Sequence, residues 1–257
     1  MTQEERLVYL IKYLVDEQPE LRNMQIPDTI PAQKRLLRSL MNIRLPYAIS
    51  SKFLEIQDAY LTEELNNKGI VSIKDMTPIK KDIYLWKGDI TRLEVDAIVN
   101  AANDQMLGCF IPCHGCIDNA IHSAAGIQLR LACNEMMQAL GKREETGNAQ
   151  ITEAYNLPSR YVIHTVGPII MKELSKHDCD LLRSCYLSCL QLADAKQLNS
   201  IAFCCISTGE FHFPNEKAAE IAIAAVEEYK KETQSEIEVI FNVFKEEDER
   251  IYQRLLR

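Results

Sequence analysis

The first 75 positions of the chain carry apolar residues three or four apart, which is the spacing of amphipathic helices. The two clearest sets are Leu7, Leu10, Ile11 and Leu14, and Leu36, Leu37, Leu40 and Met41. Residues 51–66 fit a third helix, and prolines together with Gly69 separate the segments. The pattern predicts a helical N-terminal region over residues 1–75, with a linker around residues 77–78.

From about residue 80 the pattern changes to short apolar runs that alternate with amphipathic segments. Runs rich in β-branched residues predict strands, and the longer segments with helical spacing predict helices. The predicted strands are 83–86, 96–101, 149–155, 161–166, 200–207 and 236–244, and the predicted helices are 117–138, 178–197, 215–231 and 246–256. Mostly unbroken apolar strands between helices indicate a sheet covered on both faces, so residues 76–257 are predicted to form an α/β domain.

The composition narrows the class of protein. The chain has 257 residues, of which 47% are hydrophobic and 26% charged, so it can bury a core and lacks the composition of a disordered chain. Its 37 acidic and 29 basic residues argue against a general binder of nucleic acid or anionic membranes. The acidic composition is still compatible with binding of an anionic small ligand, because backbone amides can hold phosphates. The mixed charges at the N-terminus and the lack of a long apolar run predict a cytoplasmic protein with reduced cysteines.

Three polar or glycine-bearing loops follow predicted strands. In a sheet of this kind ligands bind beyond the carboxyl ends of the strands, so these loops are predicted to carry the function. Taken alone, Asp89 is typical of a turn cap, and Asn100 and Asn103 are typical of turns. The hydroxyls and free amides of residues 207–211 can cradle a phosphate. The three loops are residues 87–91, 100–122 and 207–214.

Three of the nine cysteines crowd into one loop, at Cys109, Cys113 and Cys116, with His114 among them. Four others lie within apolar runs and are typical of small buried hydrophobes. Packing does not explain three thiols in a polar loop that also contains glycine and proline. No thioredoxin-like pattern surrounds the Cys113–Cys116 pair, so a redox role fits poorly.

The order of the motifs resembles the macrodomain family. KGDIT, DAIVNAAN, IDNAIHSAAG, LPSRYVIHTVGP and CISTGEFHFP follow one another over residues 83–244 as they do in that family. The resemblance implies a three-layer α/β/α fold with a mixed central sheet and a pocket that binds ADP-ribose.

The resemblance also implies roles for individual residues. Asp89 matches the acid that binds adenine, and Asn103 matches the asparagine that contacts the distal ribose. Asp118 matches the acid of the hydrolytic members, and residues 207–211 match the loop over the diphosphate. The implied ADP-ribose contacts are Asp89, Ile90, Asn103, Cys116, Ile117, Asp118, Asn119, Ser207, Thr208, Gly209, Glu210 and Phe211.

The run GCFIPCHGCID at 108–118 is similar to the zinc-containing branch of the family, which also carries a helical extension before the domain. That branch implies Cys109, His114 and Cys116 as the ligands of one Zn²⁺. Two thiolates and one imidazole are a suitable soft donor set, and three protein ligands leave a fourth position open, as in catalytic sites. Two alternatives stay open. Cys113 and Cys116 could chelate the metal without Cys109, or the zinc could be a purely structural staple.

The resemblance implies a zinc-dependent hydrolase that removes mono-ADP-ribose from modified proteins, with Asn103 and Asp118 as catalytic residues. Asp118 is predicted to start a helix, where the dipole favours an ionised carboxylate. His122 and His164 are expected mainly to pack, although His122 shares a helix face with Asp118. Because this branch accompanies sirtuin-class ADP-ribosyltransferases that act on lipoyl-carrier proteins, such a carrier is the implied partner. The alternatives are a module that only binds ADP-ribose and a deacetylase of O-acetyl-ADP-ribose.

Overall fold

The structure of the protein is a computed structural model that describes residues 1–21 and 23–257. Three helices come first, and a short parallel ladder then joins two two-residue strands. The helices are α1 (Gln3–Asp16), α2 (Ile30–Ile43) and α3 (Ser51–Lys68), and the ladder strands are β1 (Val71–Ser72) and β3 (Leu93–Glu94). The three helices form the N-terminal helical unit. Strand β1 lies before the predicted domain boundary at residue 75 and pairs with β3, which lies after it. The boundary itself stays a prediction.

Six strands form the central sheet: β2 (Ile83–Lys87), β4 (Ala97–Ala102), β5 (Ala149–Glu153), β6 (Tyr161–Val166), β7 (Ser200–Phe203) and β8 (Glu238–Val243). Their spatial order is β2-β8-β7-β4-β6-β5, and all neighbours are parallel except β5, which is antiparallel to β6. The sheet is therefore mixed, as predicted.

Five helices cover the sheet: α4 (Ile117–Ala125), α5 (Ile127–Leu140), α6 (Lys176–Ala195), α7 (Asn215–Thr233) and α8 (Glu246–Leu255). Helices α4 and α5 pack on one face, and α6, α7 and α8 pack side by side on the other. Strand residues such as Ile98, Ile201 and Ile240 are consequently fully buried, which explains the unbroken apolar runs of the sequence. The predicted three-layer α/β/α fold is confirmed.

The N-terminal helical unit has an apolar core of its own. Leu10 and Leu14 of α1, Leu40 of α2 and Phe53 of α3 are almost completely buried in it. Ile127 of α5 joins this core, so the unit packs directly on one layer of the α/β domain. Among the residues that the structure describes, no helix is both long enough and apolar enough to cross a membrane.

The predicted helix over 117–138 is wrong in one respect, because the chain breaks it at Gly126. Gly126 has φ +94°, a conformation that residues with a Cβ rarely adopt. Gln57 of α3, fully buried, accepts a 2.9 Å hydrogen bond from the amide of Ile127 and so caps α5. A Cβ at Gly126 would lie 2.6 Å from Nε2 of Gln57. The break is therefore set by a contact with the N-terminal helical unit, far away in sequence.

Candidate functional site

The three loops predicted to carry the function meet at one edge of the sheet. They follow β2, β4 and β7, whose carboxyl ends lie together because these strands all run the same way. One contact already links two of the loops, since Nε2 of His114 lies 3.7 Å from Oε1 of Glu210. The edge is therefore a single candidate site.

Asp89 lies half-buried at the end of β2 and caps a short 3-10 helix over Ile90–Arg92. Its Oδ1 accepts hydrogen bonds from N and Oγ1 of Thr91, at 3.1 and 2.7 Å. Among the described residues, no donor approaches its Oδ2. The interpretation of Asp89 as a cap is therefore confirmed, and one carboxylate oxygen is left for a ligand.

Two residues that the sequence analysis missed complete this end of the edge. Asn242 of β8, 5% exposed, donates from Nδ2 to the carbonyl oxygens of Gly88 at 3.0 Å and Trp86 at 3.3 Å. Phe244 follows β8 and is 76% exposed, so its ring offers a face on which a base can stack. The sequence offered one signal for Asn242, which is its position as a polar residue inside the apolar run EVIFNVF. No sequence signal distinguished Phe244 from a core aromatic.

Two asparagines and one aspartate form a hydrogen-bonded group at the end of β4. Asn100 is fully buried within the strand, so its interpretation as a turn residue is wrong. Its Nδ2 lies 2.8 Å from Oδ1 of Asp118 and 3.2 Å from Nδ1 of His164. Asn103 donates from Nδ2 to O of Gly108 at 3.2 Å and lies 3.5 Å from Oδ2 of Asp118. The structure thus brings Asn103 and Asp118 together, with Asn100 beneath them.

Asp118 sits in a strongly desolvated position. It is 5% exposed, and burial raises the pKa of its carboxyl to about 6, although the hydrogen bond from Asn100 and the charge of Arg130 act in the opposite direction. The helix N-terminus was expected to favour the ionised form. Burial opposes that effect, so the carboxylate is ionised at pH 7 but titrates close to neutrality.

His122 and His164 lie behind this group, and both are buried, as expected. Nε2 of His164 lies 2.9 Å from Oγ1 of Thr152, and burial lowers the pKa of His164 to about 3. Burial likewise lowers the pKa of His122, with help from the neighbouring His164 and Arg130. The loop passes close over His122 at Gly108, where φ is +80° and a Cβ would lie 2.8 Å from the imidazole ring. Both imidazoles are therefore held neutral at pH 7.

The three residues implied as zinc ligands converge. Cys109, His114 and Cys116 each place a ligand atom within 4.8 Å of the other two, and Sγ of Cys109 lies 3.6 Å from Nδ1 of His114. Cys113 turns away from them with φ +52°, and its Sγ lies 3.2 Å from Oγ of Ser39 in α2. The geometry therefore favours the set with Cys109 over chelation by Cys113 and Cys116.

Cys116 connects this cluster to α4. It is the N-cap of the helix, and its Sγ accepts a 3.4 Å hydrogen bond from the amide of Asn119. Burial raises the pKa of the Cys116 thiol to about 12. The hydrogen bond from the amide of Asn119 is therefore not enough to keep Cys116 deprotonated at neutral pH, whereas a bound cation would stabilise its thiolate. The donor set fits a soft divalent metal such as Zn²⁺.

The loop after β7 presents backbone amides to the site. Ser207 is 5% exposed and has φ +65°, and the amide of Phe213 donates back to its carbonyl oxygen at 3.0 Å. Within the described part of the chain, the amides of Gly209, Glu210 and Phe211 donate to no protein acceptor. Consecutive free amides of this kind make an anion-binding concavity.

Comparison with known proteins agrees with this architecture. Residues 99–222 match the Macro domain family. A protein of Treponema medium named protein-ADP-ribose hydrolase is 54% identical over 260 residues, covering 100% of both chains. A protein of the same name from Staphylococcus aureus (strain MRSA252) is 49% identical over 250 residues, which is 96% of this chain and 94% of the relative. The chain belongs to the macrodomain family of protein-ADP-ribose hydrolases.

A solved macrodomain supports the fold independently. The crystal structure of the Trypanosoma brucei macrodomain in complex with ADP-ribose superposes with a TM-score of 0.68 at 31% identity, over 86% of this chain and 95% of that chain. The likeness therefore extends over most of both chains.

Proposed function

We propose that the protein is a zinc-dependent hydrolase that releases mono-ADP-ribose from modified proteins. The observation that carries this proposal is the convergence of two features on one loop. The metal-binding set of Cys109, His114 and Cys116 lies directly before Asp118, and Asn103 faces Asp118 across 3.5 Å. A module that only binds ADP-ribose needs neither feature.

The site residues suggest how ADP-ribose is held. Asp89 accepts a hydrogen bond from the adenine amino group through its free Oδ2, and Phe244 stacks on the base. The amides of residues 209–211 and the N-terminus of α4 bind the diphosphate without any basic side chain. This arrangement explains how an acidic protein with a net charge of -8 binds an anion. The distal ribose then lies toward Asn103.

In this proposal Zn²⁺ is held by Cys109, His114 and Cys116. When bound, the ion supplies Lewis-acid activation of a ribose hydroxyl or of a water molecule. The chemistry of the donor set supports this assignment, since two thiols and an imidazole prefer zinc to calcium or magnesium.

The side chains of the chain itself position the substrate and move a proton. Asn103 holds the distal ribose through its amide, whose direction is fixed by the carbonyl of Gly108. Asp118 orients the attacking water and accepts its proton as the bond from the water oxygen to C1″ forms. The bond from C1″ to the acceptor side chain breaks, and its electron pair leaves with the acceptor, which is released as a carboxylate or takes up a proton from solvent. A carboxyl with a pKa of about 6 suits this role, because it is ionised at neutral pH yet basic enough to take a proton.

The deciding experiment is single-turnover release of ADP-ribose from a mono-ADP-ribosylated protein. Asn103→Ala and Asp118→Ala are expected to lower the release rate by about 100-fold or more, while ADP-ribose affinity falls much less. Chelation of the metal is expected to abolish release. Exposed Asp75 gives the matched control, Asp75→Ala, which is expected to behave like the wild type. Zinc-loaded wild type that binds ADP-ribose but releases none would contradict the proposal in favour of a binding module.

We further propose a lipoyl-carrier protein, modified by a sirtuin-class transferase, as the substrate. The support for this partner is the resemblance of the loop 108–118 to the zinc-containing branch. The test compares release from a modified carrier with release from a modified unrelated protein. Equal rates on the two substrates would contradict selectivity for the carrier.

A further inference from the structure

The loop that carries the proposed metal ligands, residues 108–116, has no regular secondary structure, so other parts of the chain must fix its backbone. A metal ligand displaced by about 1 Å from its proper position binds the metal much less well. The contacts that hold the loop are therefore as important for metal binding as the ligands themselves. A different contact holds the backbone of each ligand: Arg130 for Cys109, the start of α4 for Cys116 and Arg38 for His114.

Two ligands are anchored by the α/β domain itself. Arg130 of α5, 5% exposed, donates from Nε to the carbonyl oxygen of Leu107 at 2.6 Å and from Nη2 to that of Cys109 at 3.4 Å. Its Nη1 binds three carbonyl oxygens at the end of α2, of residues 41, 42 and 44. Cys116 is anchored as the N-cap of α4, where its carbonyl oxygen accepts from the amide of Ala120 at 3.2 Å.

His114 is anchored by the N-terminal helical unit. Nη2 of Arg38 in α2 donates to the carbonyl oxygen of His114 at 3.1 Å. Nε and Nη2 of the same arginine donate to Oδ1 of Asn119 at 3.0 and 2.6 Å. Asn119 is fully buried and donates from Nδ2 to the carbonyl oxygen of Ile111 at 3.0 Å. One guanidinium thus ties the histidine, the loop and the first turn of α4 together.

The neighbouring residues of α2 hold the rest of the loop apex. Oδ1 of Asn42, 1% exposed, accepts a 2.9 Å hydrogen bond from the amide of Cys113. Ser39 and the carbonyl oxygen of Arg35 lie at 3.2 and 3.4 Å from Sγ of Cys113. The four α2 residues in contact with the loop lie on one face of the helix, because they are spaced three or four residues apart. They are Arg35, Arg38, Ser39 and Asn42. Cys113 therefore attaches the apex to α2.

We infer that Arg38 is a positioning residue for the metal centre, through which the N-terminal helical unit sets the place of His114. The inference rests on the proposed zinc site and extends it to a helix outside the α/β domain. The fork of the guanidinium matters because it reaches a backbone carbonyl and a side-chain amide at once.

The test measures zinc affinity of the full-length protein by competition with a chromophoric chelator, in the wild type and in Arg38→Ala. The expected loss in the variant is about 10-fold or more, the range typical of an outer residue that orients a ligand. The matched control is Arg6→Ala. Arg6 pairs with Glu63 at 2.6 Å inside the same helical unit, and the hydrogen bonds of its side chain go to Gln3 and Glu63 rather than to the loop. It is expected to keep the affinity of the wild type.

A second readout identifies which ligand is disturbed. In cobalt-substituted Arg38→Ala, the sulfur-to-metal charge-transfer absorption is expected to persist, because Cys109 and Cys116 keep their anchors. The visible d–d bands are expected to change, because His114 has lost its anchor. Arg38→Lys keeps the charge and the aliphatic stem but cannot form the fork, so an intermediate loss is expected. If the melting temperature shows that Arg38→Ala does not fold, Arg38→Lys takes its place in the comparison with the wild type.

The outcomes separate the two proposals. Wild type that binds no zinc would contradict the proposed metal site and this inference with it. Wild type that binds zinc, together with Arg38→Ala and Arg38→Lys variants of unchanged affinity and cobalt spectrum, would overturn only the role of Arg38. Equal losses in Arg38→Ala and Arg6→Ala would mean general weakening of the helical unit and would also overturn it.

Discussion

Nδ2 of Asn100 in β4 donates to Oδ1 of Asp118 in α4 at 2.8 Å. The bond is completely buried and crosses from the sheet to the helix layer directly beneath the candidate site. It is the hydrogen bond that stabilises the ionised form of Asp118 against desolvation. The orientation and the charge of the proposed proton acceptor therefore both depend on a strand residue that no ligand is proposed to touch.

Replacing Asn100 by Ala is expected to raise the pKa of Asp118 further and to slow ADP-ribose release. It leaves a buried carboxylate without its best donor, which costs about 1–3 kcal/mol of unfolding free energy. Urea denaturation and single-turnover release at several pH values measure the two effects. Asn67→Ala, at an exposed position of α3, is the control. Unchanged stability and an unchanged pH profile would show that Asn100 does not support Asp118.

Metal content separates the cysteines of the loop. Cys116→Ala is expected to remove most of the zinc, because it deletes one of three converging donors. Cys113→Ala is expected to keep most of it, because that thiol faces Ser39 rather than the other donors. Elemental analysis of both purified variants checks this. Zinc lost in Cys113→Ala and kept in Cys109→Ala would reverse the ligand choice.

Most of the fold could be predicted from periodicity. All six strands of the sheet and the five α-helices that cover it overlap predicted segments, although α4 and α5 fall within a single predicted helix. The break at Gly126 could not be predicted, because it depends on Gln57 of a distant helix. The strands β1 and β3 have two residues each, which is too short for any alternation to be seen.

The candidate site was less accessible to sequence reasoning. The motif alone grouped Cys109 with His114 and Cys116, and the structure brings them together. Residues that act through distant contacts left no comparable signal. Arg38 is one of three charged residues in α2, and only the fold shows that its guanidinium donates to the carbonyl oxygen of His114.

Asp89→Asn tests the adenine end of the site. Asparagine keeps an oxygen that accepts from Thr91, so the cap of the 3-10 helix and the melting temperature are expected to change little. The charge that strengthens a hydrogen bond to adenine is lost, so ADP-ribose affinity is expected to fall, by up to about 1.5–3 kcal/mol in Asp89→Ala. Calorimetry measures the affinities, with Asp75→Asn as the exposed control. Affinity that is unchanged in both Asp89 variants would place adenine elsewhere.

His164→Gln tests the buried polar group through the pH dependence of stability. The pKa of His164 falls from about 6.5 in the unfolded chain to about 3 in the folded protein. Between these values the unfolded state binds the extra proton, so the unfolding free energy falls as pH falls, by up to about 1.4 kcal/mol per pH unit from this group. Glutamine can still accept from Asn100 and donate to Thr152, yet it does not titrate.

The variant is therefore expected to lose less stability than the wild type between pH 6.5 and about pH 4. Urea denaturation of both proteins in chelator, at pH 7.5, 6 and 5, measures the difference without any contribution from metal release. Asp118 contributes a change of opposite sign, because its pKa is raised to about 6, but it is present in both proteins. Parallel stability curves would mean that His164 takes up its proton in the folded state, and that the polar group beneath the site is open to water.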